Sequence, residues 1–111
     1  MPNDSNGRYR YRWSCQILYG HYTEFMELQN RKSVIAKERG WAPATYWVAT
    51  AGGLNDFLLE REYPELAELA AELQAREADL DFMKAMRGSY QHVVQGSVRI
   101  ELFQTATMLT S

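Results

Sequence analysis

Cysteine, histidine and proline are scarce in this chain: one, two and three among 111 residues. The lone Cys15 excludes an internal disulfide and a cluster of thiolate metal ligands, and it fits a reducing compartment. Long apolar runs are absent too. Nowhere do about 18 consecutive apolar residues occur, so no transmembrane helix is expected. Residues 1–7 are polar and lack the apolar stretch of a secretory signal. A cytoplasmic location is the expectation. Twelve Lys and Arg against fourteen Asp and Glu leave a net charge of -2, with no global basic field to attract nucleic acid or a membrane surface. No nucleophile elbow, phosphate-binding loop or dinucleotide fingerprint occurs, so no cofactor is expected. The two histidines, His21 and His92, stand at unrelated positions without Cys or carboxylates at ligand spacing, which leaves no metal site to expect.

What is present is enough for one domain, expected over residues 8–106 between short tails at 1–7 and 107–111. From Tyr9 to Ile17 the apolar residues fall on odd positions, with Arg8, Arg10, Arg12, Ser14 and Gln16 between them. That period of two marks a strand with two chemically distinct faces. Residues 21–39 carry an apolar arc at helical spacing, interrupted by Gln29 and Lys32, and Gly40 and Pro43 end it. Ala44 to Ala51 and Asp56 to Tyr63 are two further strands joined around Gly52, Gly53 and Asn55. Pro64 opens a helical region over 64–95, in which the apolar phase changes near Asp79, a candidate N-cap between two helices. Val98 to Thr105 alternates again.

The order strand, helix, strand, strand, helical region, strand is that of a ferredoxin-like α+β fold, with a four-stranded antiparallel sheet covered by helices on one face. Tyrosine, tryptophan and phenylalanine together number fourteen, more than one helix layer obviously consumes. A bare second face would then be a large apolar patch of the kind that monomers avoid. Two copies stacking their sheets would cover it, so a homodimer is expected.

The segment Leu54-Asn55-Asp56-Phe57-Leu58-Leu59-Glu60-Arg61-Glu62-Tyr63-Pro64 follows Gly40-Trp41-Ala42-Pro43-Ala44-Thr45-Tyr46-Trp47 and the Gly52-Gly53 turn. Together these resemble the NIPSNAP-like branch of the dimeric α+β barrel superfamily, over about Tyr9 to Thr105. The resemblance implies a homodimer whose two sheets enclose a cavity, in a superfamily that includes cofactor-independent monooxygenases, haem-degrading enzymes and isomerases. Relatives often have histidine and tryptophan on the third strand, where this chain has Leu59 and Arg61, which argues against importing a relative's chemistry.

With strand order 4-1-3-2, Arg10 and Arg12 of the first strand can neighbour Glu60 and Glu62 of the third and Arg99 of the fourth. Inside a barrel these charges must pair, and a spare arginine fork could grip an acidic small molecule. Tyr46 or Trp47 would cover it, and His21, after the Gly20 turn, could reach the barrel mouth as a base or hydrogen-bond donor. The same charges equally make an ion-pair network with no ligand. His92 near a helix end and Cys15 on an apolar strand face read as structural. The expectation is therefore a barrel protein that binds a small molecule. The alternatives are a cofactor-independent monooxygenase-like enzyme and an interaction module with a filled barrel.

Overall fold

A computed structural model describes residues 9–53 and 55–106; the expected tails at 1–7 and 107–111, and Leu54, lie outside them. Seven elements follow in the order β1 (Tyr9–Gln16), α1 (Tyr22–Arg39), β2 (Ala44–Val48), β3 (Asp56–Tyr63), α2 (Leu66–Ala78), α3 (Leu80–Tyr90) and β4 (Arg99–Gln104). The strands form one antiparallel sheet in the order β2-β3-β1-β4, and the fold is ferredoxin-like α+β.

Alternation along β1 sends Tyr11, Trp13 and Cys15 to the helix side, where all three are buried. Directly opposite on β3 stand Arg61, Leu59 and Phe57. The core is aromatic: Phe25 of α1 meets Phe57 edge-on at 4.9 Å and Trp13 meets Phe57 at 6.3 Å, geometry that suits the ring quadrupoles. Gly40, with φ 74°, ends α1 in the left-handed conformation that glycine adopts without a Cβ clash. Asp79 separates α2 from α3, its carboxylate accepting from the Phe82 amide at 2.9 Å.

Two expectations need correction. The helical region stops at Tyr90 rather than continuing to residue 95, because the next residues pair with the end of β1. Ile17 bridges Val93, and the Val94 amide donates to the Gln16 carbonyl at 2.8 Å, so sheet hydrogen bonds replace the helical ones. The second correction concerns the face without helices, which is not an apolar patch. Tyr9, Tyr11, Trp13, Tyr46, Phe57 and Tyr63 all share the helix side, leaving Trp47 and Phe103 as the strand aromatics of the open side. The aromatic surplus fills the helix layer, and the open face is mostly charged.

Candidate functional site

The open face brings together most of the residues selected from sequence. Arg10 pairs with Glu62, its Nε donating at 3.0 Å, and Arg12 pairs with Glu60 at 2.8 Å and approaches Glu101 at 4.0 Å. Register explains this, since Arg10 lies opposite Glu62 and Arg12 opposite both Glu60 and Glu101. Arg99 is exposed on the same face, and with Trp47 it lines a shallow depression of about 520 Å³. Tyr46 does not join them, because it lies on the helix side against Phe57 at 6.0 Å. Neither does His21, whose Nδ1 sits 2.9 Å from that of His92, so that one ring donates to the other beyond the end of β1. The carboxylates already neutralise Arg10 and Arg12, and exposed pairs of this kind hold little free energy in reserve.

A more unusual chemistry lies on the other side of the sheet. Phe25, Gln29, Lys32, Ile35 and Ala36 follow at spacings of four, three, three and one, so they form the buried stripe of α1. Two of these five are polar. Lys32 is 6% exposed and Gln29 2%, and Arg61 of β3 and Arg76 of α2 are similarly buried. Lys32, Arg61 and Arg76 line two adjoining cavities between helices and sheet, of about 250 and 380 Å³, together with Leu59 and Phe82. The remaining walls of the smaller cavity are largely apolar, from Trp13, Leu73, Met83, Met86 and Ile100, with the exposed Glu77 as its one carboxylate; the larger also takes Gln29, Ser33 and Lys37.

Each cation lies over an aromatic face. Lys32 Nζ is 5.2 Å from the Trp13 ring, Arg61 Cζ 4.4 Å from Tyr11, and Arg76 Cζ 4.9 Å from Trp41 and 5.1 Å from Phe82. Such contacts offer about 0.5–2 kcal/mol each, less than the several kcal/mol that removing an ion from water costs. Among the described residues, Glu72 is the carboxylate in ion-pair contact with these cations. It accepts from Arg76 Nη2 at 2.9 Å, from the Ala42 amide at 2.7 Å and from the Tyr63 hydroxyl, and it stands 3.8 Å from Arg61. Arg61 in turn donates to the Tyr63 oxygen at 2.9 Å.

Lys32 lies outside this hub. Its partner is the Met86 thioether at 3.4 Å, a weak acceptor. Burial, aided by Arg61 and Arg76, lowers its pKa from 10.5 to about 7. Burial likewise raises the Tyr63 phenol to about 12 and depresses Arg76, which nevertheless keeps its charge because a guanidinium does not deprotonate in proteins. Nearby polar groups are also unpartnered among the described residues: Trp13 Nε1 and both amide atoms of Gln29 are buried without a hydrogen bond. Cys15, by contrast, is an inert neighbour whose thiol is pushed up to about 12 by burial.

Sequence reasoning passed over Lys32, Arg61, Glu72 and Arg76. The signal was the polar interruption of an otherwise apolar helix stripe at Gln29 and Lys32, together with an arginine at an inward position of β3.

Compared with solved structures, this chain superposes on an uncharacterised NIPSNAP domain protein from Burkholderia xenovorans with a TM-score of 0.75. The identity is 16%, covering 93% of this chain and 99% of the other. Its fold is that of the NIPSNAP proteins. A NIPSNAP family protein from Agrobacterium tumefaciens str. C58 gives a TM-score of 0.73 at 15% identity, covering 88% of this chain and 92% of that one. An antibiotic biosynthesis monooxygenase gives 0.71 at 12%, covering 89% and 99%. No protein-family model and no curated protein matches the chain. No described helix is long and apolar enough to cross a membrane. In the NIPSNAP fold of this chain, the cationic pocket occupies the space between the helix layer and the sheet.

Proposed function

We propose that this protein binds a small anionic organic molecule in the helix–sheet pocket, each protomer of a homodimer holding one. The observation that carries the reading is a charge imbalance at a largely apolar cavity: the three cations Lys32, Arg61 and Arg76 stand against two carboxylates, Glu72, which pairs with both arginines, and the exposed Glu77 of the cavity lining. A bound carboxylate would offset the excess positive charge, and guanidiniums can grip it in bidentate fashion. Aromatic and thioether walls suit an apolar remainder. The dimer reading draws on the sheet face that no helix covers, where Trp47 and Phe103 stand exposed beside the ion pairs. Self-complementary charge there fits a twofold contact.

Phenylacetate tests the pocket against phenylacetamide, its neutral counterpart. At a hundred times Kd a ligand adds about 2.7 kcal/mol, which corresponds to a rise in Tm of about 10 °C for a domain of this size. The rise should appear with the acid, not the amide, and be lost in Arg61→Met. Equal responses to acid and amide would sink the assignment. Sedimentation should give about 26 kDa, twice the 12.9 kDa chain, and a 12.9 kDa species at micromolar concentration would remove the dimer. Oxygen-dependent chemistry on the bound molecule is the second reading, favoured by the fold shared with the monooxygenase. Ligand-dependent oxygen uptake tests it.

A further inference from the structure

We propose that the amine of Lys32 forms an imine with the carbonyl group of a small oxo acid whose carboxylate is held by Arg61 and Arg76. This rests on the pocket being an anion site, and it adds a covalent step to it.

The three cations are not equivalent. Arg61 and Arg76 carry permanent charge and share the Glu72–Tyr63 hub, so they are suited to hold a carboxylate and cannot act as nucleophiles at neutral pH. Lys32 has no carboxylate partner among the described residues, and its amine borders the 250 Å³ cavity between the Trp13 ring and Met86. A lysine that is desolvated and set beside other cations is an activated amine nucleophile, and burial with Arg61 and Arg76 lowers its pKa to about 7. Its lone pair is therefore free in a substantial fraction of molecules at neutral pH. The chain has two other lysines, Lys37 and Lys84, and both are exposed. One cavity thus presents groups for both ends of an oxo acid: fixed positive charge for the carboxylate and a neutral amine for the carbonyl.

The step balances without an oxidant or reductant. The Nζ lone pair adds to the carbonyl carbon while the C=O π pair moves to oxygen. That oxygen takes a proton from nitrogen, which gives a carbinolamine. The hydroxyl then leaves as water with the second nitrogen proton, and a C=N bond remains.

Phenylpyruvate is the probe, with phenyllactate, which has a hydroxyl in place of the carbonyl, as its non-reactive counterpart. Wild-type protein incubated at neutral pH with phenylpyruvate and cyanoborohydride should gain the mass of the oxo acid less one oxygen atom. Peptide mapping should place the adduct on Lys32, about tenfold above Lys37, Lys84 or the N-terminal amine. Lys32→Arg should lose the adduct on that residue while the trace modification of Lys37 and Lys84 stays as in the wild type. If both acids stabilise wild-type protein but no adduct exceeds that on the exposed lysines, imine formation is overturned and anion binding stands. If neither acid stabilises it, the anion site itself is overturned, and the covalent step falls with it.

Discussion

Lys32 of α1 directs its ammonium at the sulfur of Met86 on α3, 3.4 Å away. A thioether is a poor exchange for water or a carboxylate. The Trp13 ring face, at 5.2 Å, adds about 2 kcal/mol at most. The charged form of Lys32 is therefore under-compensated in the folded protein, and stability and chemistry both register the deficit.

The first consequence is a pH dependence with a definite sign. The folded protein holds Lys32 at about 7 against 10.5 ordinarily, so between those values the unfolded chain binds the proton that the folded protein has released. Stability rises with pH across that window, and the full penalty is present below it. A tenfold loss of proton affinity on folding corresponds to about 1.4 kcal/mol. Lys32→Met removes the ionisable group, keeps much of the volume, and should stabilise the protein by about 2–4 kcal/mol near neutral pH. The gain should shrink as pH approaches 10.5. Urea midpoints of the two proteins measured across that range check this, and parallel curves would contradict it.

Two glutamates separate burial from mere pairing. Glu72 is the carboxylate on which Arg76, Tyr63 and the Ala42 amide converge, whereas Glu62 pairs with Arg10 where both side chains are nearly half exposed. Breaking a buried pair leaves a stranded charge and costs about 3–5 kcal/mol, whereas an exposed pair contributes about 1 kcal/mol or less. Glu72→Gln should therefore lower the urea midpoint far more than Glu62→Gln. Equal losses would show that Glu72 is not the hub that holds the buried arginines.

The architecture was legible because strand alternation and helix phase are local. Tyr9 to Ile17 declares its two faces by itself, and the element order leads to the observed sheet order β2-β3-β1-β4. The charged lattice of Arg10, Arg12, Glu60 and Glu62 followed from the same alternation. The pocket was obscured because its members lie far apart in sequence. Lys32, Arg61 and Arg76 come from three elements, and each alone looks like a blemish in an apolar pattern. Tyr46 and Trp47 are adjacent in sequence, yet the pleat sends them to opposite faces, so grouping them as one cover joined two surfaces. His21 found His92 instead of the arginines because the pairing of Leu18 with His92 through the backbone brings the two loops together.

Asp79 joins two of the pocket's three helical walls, ending α2 and beginning α3 while also binding Arg39 of α1. Its carboxylate accepts from the Phe82 amide at 2.9 Å and from Arg39 Nε at 2.8 Å. These contacts, the amide foremost, hold its pKa below the ordinary 3.8. A depressed carboxyl stabilises the fold above its ordinary pKa, and that contribution is lost as pH falls through the lower folded value. Asparagine can still cap the helix but cannot form the ion pair, while alanine can do neither. Thermal melts at neutral pH should therefore rank wild type above Asp79→Asn and Asp79→Asn above Asp79→Ala, and acidification should close the gap between the first two. Because Arg76 precedes this junction and Phe82 follows it, Asp79→Ala should also weaken the phenylacetate-induced rise in Tm. An unaltered ligand response in a destabilised Asp79→Ala protein would show that the cap supports α3 without setting the geometry of the pocket.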